Sequence, residues 1–468
     1  MSALMKLIND WKETDEKRDF RDLFKNILHK TPFYLRYSLD SSRPNLFLIH
    51  MTDYSDRTNE VVQECNGIIL NNEDYSIIAY GMNRMVDQTE NFLARKFTPD
   101  WDNSVLEEAE DGAVLTVFNH GGTWVVSTKR NIDAHNVKWS SSKSFYELLS
   151  DAIPGGNLTE TFDRDLDKDY TYSFVLLHPE NHLVINHREP KLIYVSRRNL
   201  KTLQEDNVSS MQNVSSFPWA QKRETLSKET AMQRMSDTKR TNRRGIILCR
   251  KNGSTIDREM IDYRWFAEAN QLRKGLPSLH LSYLACSPEE RQKLRKYFGN
   301  LQDFNVIDAL LRDLTRYTFD VYKNSYIRKQ YRVDYNHPIY KTVRNLHNTY
   351  KLTREPVRIH HVIDEIDNIP THVIDKMLWY FYNNGFQVPA AAEDGQPEQQ
   401  QPEQQQPEQQ QQQQQEQPQQ QQQQTDGDVR IDDDEGVKNE KDEENKEDEE
   451  REGSVSSTTV NVGDKKDE

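Results

Sequence analysis

Cysteine is scarce. The 468 residues include three, Cys65, Cys249 and Cys286, none near another. That count and spacing exclude a paired disulfide framework and the CxxC units of zinc sites. Each is expected to be a reduced, small core residue of an intracellular protein, in cytoplasm or nucleus. Long apolar runs are missing too. The opening MSALMKLINDWKETDEKRDF has apolar residues at helical spacing but no unbroken run, so it does not read as a signal peptide. No stretch approaches the ~18–20 apolar residues of a membrane span, and no membrane partner is expected. From Pro389 onward aliphatic and aromatic side chains all but vanish.

That last segment repeats PEQQQ, then runs through glutamine into acidic residues around Asp432 to Glu452. It cannot bury enough apolar surface to offset chain entropy. Residues 389–468 are therefore expected to form a disordered Gln-rich and acidic tail. The tail holds 24 acidic and 7 basic residues, which leaves 52 and 54 in residues 1–388. The body is nearly neutral, and the acidity belongs to the tail.

Residues 3–29 show helical periodicity. From about Phe33 the period becomes two. FYLRYSL, LFLIHM, CNGIILNN, YSIIAYG, AVLTVFN, TWVVSTK, YTYSFVLL, HLVINH, KLIYVSRR and RGIILCRK all read as strands. Asn119-His120-Gly121-Gly122 and Pro179-Glu180-Asn181 suit tight hairpins. Helices are expected at 143–153 and 218–236. This order implies an α+β body of antiparallel sheets rather than βαβ units. After about Lys274 the helical period dominates, over 289–298, 306–326, 338–350 and 360–382. The chain thus reads as 1–274, a helical 275–388 and the tail 389–468. The aromatic residues Tyr317, Phe319, Tyr322, Trp379, Tyr380, Phe381 and Tyr382 lie at helical spacing and are expected in its core.

Several short motifs resemble those of bacteriophage-type RNA ligases that repair broken tRNA, members of the covalent nucleotidyltransferase superfamily. ECNGIIL (64–70) is similar to the family's Glu-Cys-Arg-Gly-Ile strand, with Asn66 for arginine. AYGMNRMVD (79–87) is similar to a segment where Arg84 takes a lysine position. AEDG (109–112) resembles motif I, Lys-x-Asp-Gly, and STKRNID (127–133) the following strand, with Lys129 kept. YSFVLLHPENHLVI (172–185) resembles Phe-Glu-Phe-Val, and RRGIILCRKNGSTIDREMIDY (243–263) motifs IV and V. The resemblance covers roughly residues 35–270. It implies a nucleotidyltransferase body with ATP-grasp-like antiparallel sheets and an added helical C-terminal domain.

The departures concern the chemistry. The resemblance puts the adenylated lysine at Ala109, whose methyl group is no nucleophile. It puts family glutamates at Ser173 and Arg244, and two phosphate-gripping lysines at Asp257 and Glu259. Exchanging a cation for a carboxylate reverses an interaction of roughly 4 kcal/mol at 4 Å and effective dielectric ~20. A scaffold that has lost adenylation is expected, with no catalytic residue, no metal and no cofactor. Glu110, Asp111, Gly112 and Lys129 would line a vestigial cleft. Lys96 and Lys129 are the nearest other lysines in sequence. Asp257 and Glu259, two apart on a strand, could share a face for Mg²⁺ or form a solvated edge. His178, His182 and His187 read as hairpin residues rather than a zinc site.

Three readings stay open. The first is an inactive RNA-ligase-like protein that binds RNA through the basic clusters Arg188, Lys191, Arg197, Arg198, Lys201 and Lys239, Arg240, Arg243, Arg244, Arg250, Lys251. The second is an ATP- and Mg²⁺-dependent ligase using non-standard residues. The third is a structural scaffold whose tail contacts protein partners or competes with RNA for the body.

Overall fold

The computed structural model describes residues 2–14, 19–181, 183–207, 217–237 and 242–387. The expected tail, His182, Lys239 and Arg240 lie outside them. By its contacts the chain divides into Met1–Asp428 and Val429–Glu468, and the described residues all lie in the first unit.

Among the described residues the body is α+β, with three largely antiparallel sheets; Val86–Asp87 pairs parallel at the edge of the third. The first orders the strands Arg36–Leu39, Leu46–His50, Asn66–Asn71 and Ile77–Ala79. Helices Ala3–Thr14 and Phe20–Leu23 cover it, burying Leu4, Ile8, Trp11 and Phe20 against Phe47 and Ile68. The second sheet orders Glu205–Asn207, Lys191–Asn199, Tyr170–Leu177, Ala113–His120 and Thr123–Ser127, with Gln221–Lys222 parallel beside its second strand. The third orders Thr225–Leu226, Val105–Ala109, Gly245–Asn252, Thr255–Asp262 and Val86–Asp87.

The Gly121-Gly122 turn joins two strands in register from Thr116↔Ser127 to His120↔Thr123, because both glycines take the positive φ that a two-residue hairpin needs. Residues 183–187 of the expected strand HLVINH form no strand. Its Val184 and Ile185 amides donate to the Asp111 carboxylate instead of to a neighbouring strand, both at 2.8 Å. The helix expected over 218–236 shrinks to Lys228–Ser236, since residues 221–226 pair as short strands.

The C-terminal helices are Arg264–Arg273, Leu279–Leu284, Pro288–Phe298, Phe304–Tyr322, Tyr340–Thr353, Ile359–Asp367 and Thr371–Asn384. The pattern read across 360–382 is two helices, split at Pro370, whose ring cannot continue the first. These helices share one core with the third sheet. Leu106, Ile246, Leu248 and Ile261 pack in the same cluster as Phe266, Phe298, Leu314 and Phe381. The aromatic stripe is only partly core. Phe381 and Tyr322 are buried, whereas Trp379, Tyr380 and Tyr382 are exposed, because Ile374, Met377, Leu378 and Phe381 form the buried face of their helix. No helix among the described residues is long and apolar enough to cross a membrane.

Candidate functional site: a crossover and a cationic cleft

Residues 110–112 carry the chain from the third sheet into the second, and each has a structural task. Glu110 accepts from Arg223 Nε at 2.8 Å. Burial raises its pKa above the usual carboxylate range, partly offset by that guanidinium. Asp111, 5% exposed, holds the 184–185 amides, while its carbonyl meets His187 Nε2 at 2.6 Å. At Gly112 a Cβ would lie 2.6 Å from the Leu176 carbonyl and 2.5 Å from Val175 Cγ1, so a side chain has no room.

Ala109 is 1% exposed. Its methyl group packs with Ile247, Cys249, Ile256 and Met260, and Met85 covers that cluster. Met85 also packs on Met82, Val175, Leu177, Ile193 and Val195 of the second sheet's side. Apolar side chains thus fill the space around Ala109. Ser173 Oγ accepts the Met82 amide at 3.0 Å, which ties residues 81–85 to the second sheet. Arg244 donates to Asp262 at 2.8 Å and lies over the Phe266 ring.

Asp257 and Glu259 do not join Ala109. Strand register pairs Gly245 with both Ala109 and Asp262, and Ile247 with both Glu107 and Met260. Alternation then puts Ile256, Arg258 and Met260 on the face of Ala109, and Asp257 and Glu259 on the opposite face. There Asp257 accepts from Asn252 and Glu259 from Arg250 at 2.9 Å each. The cation on the Ala109 face is Arg258, held at 2.8 Å by Glu205, which also takes Arg198 at 2.9 Å. This buried Arg–Glu–Arg staple joins the second sheet to the third.

A different place gathers free positive charge. A cavity of about 110 Å³ is lined by His50, Arg57, Asn66, Arg84, Lys129 and Arg130, among others. Among the described residues no carboxylate stands within ion-pair distance of Arg84, Lys129 or Arg130; the lining acid Asp53 lies 3.7 Å from Arg57. Arg84 is fixed by its amide, which donates to the Gln63 carbonyl at 3.0 Å, and by Nη1 against Met51 Sδ at 3.1 Å. Burial, then repulsion from Arg84, Arg244 and Arg130, pushes the Lys129 amine down to about 8. Lys129 as a whole is exposed, which softens the burial contribution but leaves the like charges in place. The cavity lining includes Lys129 but not Glu110, Asp111 or Gly112, with which the sequence grouped it. Sequence reading singled out Arg84 and Lys129 but missed Arg57 and Arg130. The adjacency of Lys129 and Arg130 just after a strand was the available signal.

The sequence-read basic clusters are mostly neutralised. Lys191 pairs with Glu189, Arg197 with Asp206, Arg198 with Glu205, Lys201 with Asp169, Arg243 with Glu108 and Glu224, and Arg250 with Glu259. Asp151, His178 and Glu180 come together near enough to share an ion, but Lys143 already bridges the two carboxylates at 2.8 and 2.9 Å. His178 Nδ1 accepts the Glu180 amide, which leaves the ring proton on Nε2. All three cysteines are buried and free.

No family model matches the chain. Sequence relatives do bear RNA-ligase names. A protein of Autographa californica nuclear polyhedrosis virus, named as a bifunctional polynucleotide kinase/RNA ligase, is 26% identical over 31% of this chain and 23% of its own length. An African swine fever virus protein named as an RNA ligase is 23% identical over 30% and 34%. The immediate-early protein ICP-46 homolog of Invertebrate iridescent virus 6 is 21% identical over 60% and 64%. The chain spans less than two thirds of the length of each. An archaeal ATP-dependent RNA ligase structure aligns with 63% of this chain and 74% of its own, at 10% identity and a TM-score of 0.37, too loose a superposition to weigh.

Proposed function

We propose that this RNA-ligase-like chain binds RNA non-covalently, through phosphates held at the Lys129 cleft, and does not form an adenylate at Ala109. The observation that carries the reading is the contrast between two places. The Ala109 methyl group is no nucleophile, and Met85, Ile247 and Met260 pack into the space around it. At Lys129 three cations without carboxylate partners face a cavity of about 110 Å³, below the roughly 300–1,000 Å³ usual for small-molecule sites. That volume suits a phosphate group better than a whole nucleotide. Phosphates bring constant negative charge, and unneutralised Lys and Arg gain most from meeting it. No ATP or Mg²⁺ is needed for this function. The test is binding of a labelled single-stranded RNA by the full chain, and its loss in Arg84→Ala. Equal affinity in both proteins would refute the reading.

A second reading rests on the Lys129 amine itself. Pushed down to about 8, it is partly unprotonated near neutral pH, as a nucleophile must be. In that case the Lys129 Nζ–Pα bond forms, the bond from Pα to the bridging oxygen breaks, pyrophosphate leaves and the amine proton passes to solvent. Incubation with α-labelled ATP and Mg²⁺ or Mn²⁺ separates the two. A covalent label lost in Lys129→Arg supports ligase-type chemistry, and an unlabelled chain that binds RNA supports the first reading.

A further inference from the structure

The helix Phe304–Tyr322 ends in two surfaces of opposite character. Near its N-terminus lies a cavity of about 520 Å³, lined by Val306, Leu310, Trp379 and Tyr382 with Asp303 and Asp375. Trp379 and Tyr382 are 67% and 65% exposed, and their rings lie within 18° of parallel. Large aromatic faces left in water are uncommon unless something covers them. Asp375 is met by His280 at 2.8 Å, and Asp303 caps the helix through the Asn305 amide. Among the described residues no lysine or arginine lines this groove, so an RNA phosphate would find two carboxylates and a single histidine, His280, already taken by Asp375.

At the other end the helix runs on through Lys323–Ile327. Ile327 is 62% exposed, and Arg328, Lys329 and Arg332 follow it on the surface. Among the described residues none of the three cations has a carboxylate within ion-pair distance. Val306 and Ile327 are separated by roughly 30 Å of helical rise, so this basic, apolar knob cannot reach its own groove.

We infer that the protein self-associates head to tail, with Ile327, Arg328 and Lys329 of one copy seated in the aromatic, acid-lined groove of the next. Ile327 removes the Trp379 and Tyr382 faces from water, while the cations meet Asp303 and the aromatic rings. The two contacting surfaces differ, so the contact is heterologous and builds open chains rather than a closed dimer. The patch is small, which makes the association weak and concentration-dependent.

Sedimentation of the full chain from about 1 to 200 µM, the range where small interfaces assemble, tests this. The weight-average mass should rise with concentration, and Trp379→Ala or Arg328→Glu should each weaken association at least about tenfold. A charge exchange guards against loss of folding. Asp303→Arg and Arg328→Glu chains should each associate poorly alone, yet associate when mixed, since the altered groove then fits the altered knob. A chain that stays monomeric throughout overturns the inference and leaves the groove to a different protein. Association untouched by both single substitutions, or no rescue on mixing, overturns it as well.

Discussion

Gly67 and Lys129 touch through their backbones. A Cβ on Gly67 would sit 3.1 Å from the Lys129 Cα and 3.3 Å from its carbonyl oxygen, and Gly67 holds a φ of +94°. The strand that begins at Asn66 therefore sets the position of the cleft lysine, and only glycine permits the approach. Gly67→Ala is expected to lower stability by about 1–3 kcal/mol and to weaken RNA binding by displacing Lys129. Urea unfolding and RNA titration of the same preparation check both effects.

RNA affinity should fall as pH rises. The Lys129 amine is charged below about 8 and loses its charge above that, whereas phosphodiester charge is constant. Wild-type affinity is expected to drop between pH 7 and 9, and Lys129→Ala to show a flatter profile. Stability moves the other way. The folded pKa lies below the ordinary lysine value of 10.5, so between about 8 and 10.5 the unfolded chain binds more protons and stability rises with pH. Lys129→Met, which removes the crowded charge, should melt higher than wild type at pH 7 while binding RNA less well.

The Arg198–Glu205–Arg258 staple should matter for stability. Glu205→Gln leaves two buried guanidiniums without their counter-charge and is expected to cost about 3–5 kcal/mol in urea unfolding. Burial alone would raise the Glu205 pKa, but Arg258 and then Arg198 reverse that and hold it below the usual 4.5. Its contribution is thus complete above the ordinary glutamate pKa and lost as pH falls through the lower folded value. The wild-type chain should show that acid loss, and Glu205→Gln should lack it.

Restoring a lysine at position 109 should not restore ligase chemistry. Ala109→Lys would push an amine into the cluster of Ile247, Met260 and Met85. A destabilisation of about 2–4 kcal/mol is expected, with no covalent label from α-labelled ATP. A labelled Ala109→Lys chain would show that the apolar filling yields easily.

Much of the fold was legible because its signals are local. Short apolar, β-branched and aromatic runs marked Tyr170–Leu177 and Gly245–Asn252, and the Gly121-Gly122 turn marked its hairpin. HLVINH misled because its apolar alternation says nothing of Asp111, 73 residues earlier, which takes the Val184 amide. The site was harder to read for the same reason. The resemblance put two phosphate-gripping lysine positions at Asp257 and Glu259, but strand register, which a motif match does not set, places them on the face opposite Ala109. The basic clusters misled because their neutralising partners, such as Glu205 and Glu108, are invisible in a linear count. The Lys129 cavity draws on residues from 50 to 130 and exists only once the first sheet lies against the strand end at Ser127.

The salt dependence of RNA binding tests the central claim most directly. Affinity for a single-stranded RNA should fall linearly on a log–log plot against salt, as counterion release requires. Lys129→Ala and Arg84→Ala should each reduce the slope by about 0.7, the single-strand value for one lost phosphate contact. Slopes identical to wild type in both variants would contradict the account.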